Sequence, residues 1–146
     1  MANFRGVNNT KAQSGPNFVP IADGAGGGRL AAIYDEYTIP AAGFGAGDTI
    51  TLGPPKALRA VDTVLDCLVS WAALGASVTM ILGDDGDPDR YITSVSVTSA
   101  GSQRMNAFTT GHGYKLTQDR ELMMTLAGAA PTPAALIKVQ MLLLRP

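Results

Sequence analysis

The sequence predicts an all-β protein, a β-sandwich of which the jelly roll is one form, with an extended N-terminal arm. Three observations point there. Helix-forming charged residues are scarce, with two Glu (Glu36 and Glu121) and four Lys against ten Asp. Gly and Pro fill 26 of the 146 positions, above their summed average of roughly 12%. Short apolar runs punctuated by Gly, Asp and Thr recur at the spacing of strands and turns. With 46% hydrophobic residues, one domain of this length buries roughly two-thirds of its unfolded surface, and needs neither disulfide nor metal to hold a core.

Residues 1–28 differ from the rest. They are rich in Asn, Gln, Ser and Gly and end in Gly24-Ala25-Gly26-Gly27-Gly28, a hinge, with Phe4, Val7, Phe18, Val19 and Ile21 as their sparse apolar side chains. Ordering a residue costs roughly 1–2 kcal/mol, so fixing such an arm costs on the order of tens of kcal/mol. It is read as an arm ordered along a partner surface, the alternatives being a disordered tail or a strand wrapping its own domain. Residues 29–146 form the sandwich.

In the body, Ile33, Asp35, Tyr37 and Ile39 alternate with Tyr34, Glu36 and Thr38 as one strand, which Pro40 and the Gly43–Asp48 turn close. Thr49–Leu52 begins the next, and Pro54-Pro55 ends it. Ala57–Leu74 is ambiguous. Leu58, Val61, Leu65, Leu68 and Ala72 fit a helical stripe, whereas Val61, Thr63, Leu65, Cys67, Val69 and Trp71 alternate as a strand. The β-branched residues and the missing N-cap favour the strand. Ser77–Leu82 and Arg90–Thr98 read as a hairpin around Gly83–Asp89, with Tyr91, Thr93, Val95 and Val97 on one face. Met105–Thr109 and Tyr114–Leu116 are shorter candidates beside Gly111-His112-Gly113. Arg120–Leu126 and Ala134–Leu144 make a final pair. Turns at 8–12-residue spacing suit a sandwich.

Composition excludes several functions. A net charge of −1, with the basic residues spread singly from Arg5 to Arg145, lacks the basic stripe of a nucleic-acid protein. The longest apolar stretch, Ala134–Leu144, is too short and too polar to cross a bilayer as a helix. The opening MANFRGVNNTKA carries no apolar segment of a secretory signal. The glycosylation pattern Asn8-Asn9-Thr10 is therefore expected to be silent. A lone Cys67 excludes an intrachain disulfide framework and fits a reducing compartment.

Chemistry is sparse. A nucleophile needs a base beside it, and the one histidine, His112, sits between two glycines in a turn. Cys67 falls within an apolar strand, the setting of an inert thiol. The Gly clusters lack the third glycine of a dinucleotide fingerprint and the Lys-Ser/Thr of a P-loop. Asp84, Asp85, Asp87 and Asp89 place four carboxylates within six residues and start like a calcium loop, but Arg90 and Ser96 stand where glycine and glutamate should follow. A tight turn is preferred, with Asp side chains accepting from backbone amides and Arg90 pairing across it; the weaker alternative is a metal site. No cofactor and no enzymatic activity are expected.

Gly6-Val7-Asn8-Asn9-Thr10-Lys11, the run Leu74–Thr79, and Leu82–Ile92 with its Gly83-Asp84-Asp85-Gly86-Asp87-Pro88-Asp89 resemble small structural proteins of tailed bacteriophages, in particular head decoration (cement) proteins. The resemblance spans most of the chain in pattern and carries no catalytic residue. It implies a β-sandwich or jelly-roll module, often a trimer. Such a module binds the major capsid protein on the outer surface of the head and stabilises it against packaged DNA, after assembly in the host bacterial cytoplasm. Direct contact with nucleic acid or membrane is not implied. On that reading Phe4, Val7, Phe18, Val19 and Ile21 are apolar anchors on the capsid. Arg5, Lys11 and Arg29 are the charged ones, and Asn8 belongs to the same contact. A neck, tail or fibre-base protein and a glycan-binding sandwich on the particle are the alternatives.

Overall fold

The computed structural model describes residues 3–5, 20–23 and 29–145, with the backbone alone for 3–5, 20–23 and Arg29. Among the described residues there are ten strands and no helix. They are β1 (Asn3–Arg5), β2 (Pro20–Asp23), β3 (Arg29–Thr38), β4 (Thr49–Leu52) and β5 (Thr63–Trp71), then β6 (Thr79–Asp84), β7 (Asp87–Ser96), β8 (Gly101–Arg104), β9 (Leu122–Ala127) and β10 (Leu136–Arg145). The first sheet runs β1-β4-β9-β6-β7 and the second β2-β3-β10-β5-β8. All pairings are antiparallel except that of β1 with β4. The fold is the expected all-β sandwich.

The core lies between the sheets. Ile50, Met80, Leu82, Leu122 and Met124 of the first sheet meet Ile33, Val69, Ile137, Val139 and Leu143 of the second in one buried cluster. Strand β3 shows why alternation works here. Ala31, Ile33, Asp35 and Tyr37 are buried while Leu30, Tyr34 and Thr38 are exposed, because successive side chains of a strand leave opposite faces of the sheet. Asp35 is fully buried, and its carboxylate accepts from the Gly53 amide at 2.8 Å and the Glu36 amide at 2.8 Å. These bonds satisfy a charge that would otherwise be costly to bury.

Residues 57–74 contain a strand, not a helix, but their alternation is not continuous. Val64 is buried, and so are Cys67, Val69 and Trp71, an odd step apart. The register on β10 moves from Leu142 opposite Asp66 to Leu143 opposite Val64. Leu65 is therefore an extra residue, a β-bulge that turns the remaining side chains to the other face. The second hairpin strand departs from its expected alternation for the same reason. Leu82 pairs with Ile92 while Met80 pairs with Val95, and Tyr91 and Ile92 are both buried.

Three further expectations are corrected. The Gly83–Asp89 loop shrinks to Asp85-Gly86, since Asp84 already pairs with Asp87. Met105–Thr109 and Tyr114–Leu116 are not strands; only the single bridge Thr63 to Lys115 forms there. Gly101–Arg104 takes the edge position instead, beside β5, where Gly101 lies under the Trp71 ring and Trp71 Nε1 donates to the Ser99 carbonyl at 2.8 Å.

Of residues 1–28, β1 pairs with Thr49–Thr51 and β2 with β3, so each described piece extends one of the chain's own sheets.

Candidate functional site

The β6–β7 hairpin is held by one carboxylate. Asp84 is buried, with its side chain at the neck of the turn. Its Oδ1 accepts from the amides of Gly86 (2.9 Å) and Asp87 (3.1 Å). Its Oδ2 accepts from Arg90 Nε (2.8 Å) and the buried Tyr91 hydroxyl (2.9 Å). The Arg90 guanidinium lies 3.9 Å above the centre of the Tyr114 ring and pairs with Asp87 at 3.6 Å. Burial works against the Arg90 charge, but the charge and hydrogen bond of Asp84 outweigh it and raise Arg90 above its ordinary value. Burial, and then the Asp84 charge, raise the Tyr91 phenol far above its own.

This arrangement is a turn braced by side chains. Four donors occupy Asp84, Asp85 faces Arg120 at 3.5 Å, and Asp87 faces Arg90. Asp89 is exposed and makes no hydrogen bond or ion pair with the described residues. Among the described residues no group of three His, Cys, Asp or Glu side chains is placed to hold a metal ion.

Next to this hairpin, residues 105–113 form a loop stitched to β7. The Asn106 and Ala107 amides donate to the Tyr91 carbonyl (3.2 and 3.3 Å), and the Thr110 hydroxyl donates to that of Arg90 (3.0 Å). Gly111 permits this closeness, since a Cβ there would lie 2.6 Å from the Arg90 carbonyl oxygen. The loop displays Phe108, 68% exposed, more than any other large hydrophobic residue described. Sequence reasoning missed it as a surface feature. The available signal was its isolation: a single Phe in a short segment between Gly101 and Gly111 that holds no other aromatic residue.

Phe108 stands between two clefts. One, of about 300 Å³, is lined by Leu65, Asp66, Arg104, Met105 and His112. His112 is exposed there and donates from Nδ1 to the Leu65 carbonyl at 2.9 Å, which ties it to the β5 bulge. Arg104 forms an ion pair with Asp66. The other cleft, of about 360 Å³, lies against β7. Cys67 is buried in β5; burial first, then Asp66, push its thiol up to about 12 against the pull of Arg104, which suits an inert thiol.

The anchors expected on the arm are not brought into view. Val7, Asn8, Lys11, Phe18 and Val19 lie outside the described residues, as do the side chains of Phe4, Arg5, Ile21 and Arg29. Just before β5, Asp62 is buried and takes a two-pronged contact from Arg145 (2.8 and 2.6 Å). That pair pins the end of β10 to the loop before β5.

By sequence, no family model and no curated protein matches the chain. By structure, it is similar to chains of three solved phage capsids. One belongs to the cyanophage Pam1 capsid asymmetric unit, with a TM-score of 0.68 at 21% identity, covering 88% of this chain and 93% of that one. Another belongs to the capsid of Ralstonia phage GP4, with a TM-score of 0.74 at 20% identity and 99% of each chain covered. The third belongs to the acidic stable capsid of Helicobacter pylori bacteriophage KHP30, with a TM-score of 0.59 at 11% identity, covering 88% and 94%. At these identities the shared property is the fold.

Proposed function

We propose that the chain is a structural component of a phage virion, a cement protein that binds the major capsid protein on the outer surface of the head and stabilises it against packaged DNA. The observation that carries this reading is the end-to-end match in fold with chains of three phage capsids. Each match covers nearly the whole of both partners, so the likeness is to a complete small chain and not to a module within a larger one. The strand order supports a jelly-roll winding. From β3 to β10, the orders β4-β9-β6-β7 and β3-β10-β5-β8 interleave two four-stranded sheets as two Greek keys would.

The chemistry of the body agrees with a mechanical role. Its buried carboxylates Asp35, Asp48, Asp62 and Asp84 each brace a turn or a strand end. A rigid body loses little entropy on docking, and several copies on one shell raise the effective affinity without new kinds of contact. In the proposal, copies cluster as a trimer, and the segment from Phe4 to Arg29 supplies the capsid contact through Phe4, Arg5, Val7, Asn8, Lys11, Phe18, Val19 and Ile21.

The test is addition of the purified full chain to heads assembled without it, followed by sedimentation and counting of bound copies. Saturable binding, reduced in the F4S/F18S double variant, and DNA retention to higher temperature are expected. Association with tails or necks in place of heads would move the chain to another part of the virion.

A further inference from the structure

We propose that the cleft between Phe108 and β7 binds a neutral pyranose unit of a glycan, a function separate from attachment to a shell. The cleft, about 360 Å³, is lined by Asp89, Thr93, Asn106, Phe108, Thr109 and Thr110. Its size falls within the few hundred Å³ of small-ligand sites. A pyranose presents an apolar C–H face and a rim of hydroxyls, and this cleft offers a partner for each.

Phe108 supplies the apolar wall. An aromatic ring held 68% in solvent forgoes burial that would otherwise favour the folded state, so its ring is available to a ligand. Asp89 supplies the acceptor. Its carboxylate is exposed and makes no hydrogen bond or ion pair with the described residues, and an ionised carboxylate can accept from two neighbouring hydroxyls at once. The adjacent Arg90 does not neutralise it, being committed to Asp84 and Asp87 over the Tyr114 ring.

Asn106 supplies the donor, and its orientation is set. The Thr93 amide donates to Asn106 Oδ1 at 2.8 Å and the Thr93 hydroxyl at 3.3 Å. With the carbonyl end occupied, the two N–H groups of the carboxamide remain for a ligand. Thr109 adds a hydroxyl that either donates or accepts. The walls are preorganised by the loop-to-β7 bonds from Asn106, Ala107 and Thr110, which lowers the ordering cost of binding. A carboxylate in the cleft that no described residue neutralises selects against acidic sugars, hence a neutral unit.

The test uses the intact chain with glucose, galactose, mannose and N-acetylglucosamine as probes, read by saturation-transfer NMR and calorimetry. Millimolar binding of at least one is expected, weakened roughly tenfold or more by Phe108→Ala and by Asp89→Asn. His112→Ala, in the cleft on the other side of the ring, is expected to leave affinity unchanged. All three positions are exposed, and a thermal melt of each variant confirms the fold. Absence of binding by all four sugars, or binding that survives both Phe108→Ala and Asp89→Asn, overturns the proposal. So does a change in sedimentation on Phe108→Ala without a change in sugar binding, since the ring would then serve contact between copies.

Discussion

Replacing Asp84 with alanine removes the acceptor for four donors at once. Two are backbone amides of the turn, one is the Arg90 guanidinium, and one is the fully buried Tyr91 hydroxyl. Removing one member of a buried charge pair costs about 3–5 kcal/mol, because the other charge stays buried without compensation. The stranded Tyr91 hydroxyl falls within that range rather than adding in full, since the freed cavity admits water. Against a total stability of about 5–15 kcal/mol, the loss is large. It corresponds to a fall in melting temperature of roughly 6–20 °C for a chain of this size. Asp84→Asn keeps an acceptor for the two amides but loses the charge opposite Arg90 and turns an N–H₂ donor toward it, so a loss of about 3 kcal/mol, the lower end of the range for a broken pair, is expected. The assay is denaturant unfolding at matched protein concentration, with the cycle Asp84→Ala, Arg90→Met and the double variant. The double variant should be less destabilised than the sum of the singles by about 1–3 kcal/mol. An Asp84→Ala loss below about 1 kcal/mol, or an additive cycle, would refute the idea that this carboxylate holds the hairpin.

Gly83→Ala should cost about 2–4 kcal/mol in the same assay, because the added Cβ overlaps the Asp87 and Pro88 carbonyls, which are backbone and cannot swing aside. Val61 holds a φ of 71° with a side chain 49% exposed, a conformation that costs a β-branched residue about 1–2 kcal/mol. Val61→Asn should therefore raise stability by about 1 kcal/mol, and an unchanged unfolding midpoint would show that the turn is not strained. Burial and then Asp48 push the Tyr37 phenol up to about 12, where the Cys67 thiol also stands. The unfolded chain releases these protons from about pH 8.5 (thiol) and 10 (phenol). Stability from both groups is thus complete below about pH 8.5 and lost as pH rises towards 12. Unfolding midpoints measured across that window should fall, and Cys67 should resist thiol reagents at neutral pH until denaturant is added; a flat profile would contradict this.

Much of the fold could be read from local pattern. Strand β3 was legible because its register on β10 runs unbroken from Arg29 to Thr38, so one period of two covers it. The hairpin was legible because Asp85-Gly86 is a turn signal between two apolar runs. The bracing of that turn by Asp84 and Arg90 was partly legible, since carboxylates crowded into a turn need donors nearby. Tyr91 and Tyr114 as their companions were not. The Leu65 bulge was illegible, because Val61 to Trp71 alternates without fault in sequence, and only the pairing with β10 reveals that one residue is extra. Phe108 escaped notice because exposure is set by what lies around a side chain, and the short strand expected over Met105–Thr109 says nothing of that.

Composition, turn residues and alternation were sufficient for the class: a chain poor in Glu and Lys, broken by Gly and Pro, cannot sustain long helices and buries its apolar faces between sheets. Those signals are local, arising within a few residues of backbone, and so survive in one dimension. Which strands neighbour one another, where a bulge reverses a face, and which carboxylate is buried with four donors were decided by the tertiary structure. Those outcomes depend on residues far apart in the chain, Asp62 with Arg145 or Asn106 with Thr93. Their energies exist only once packing has excluded water from between them.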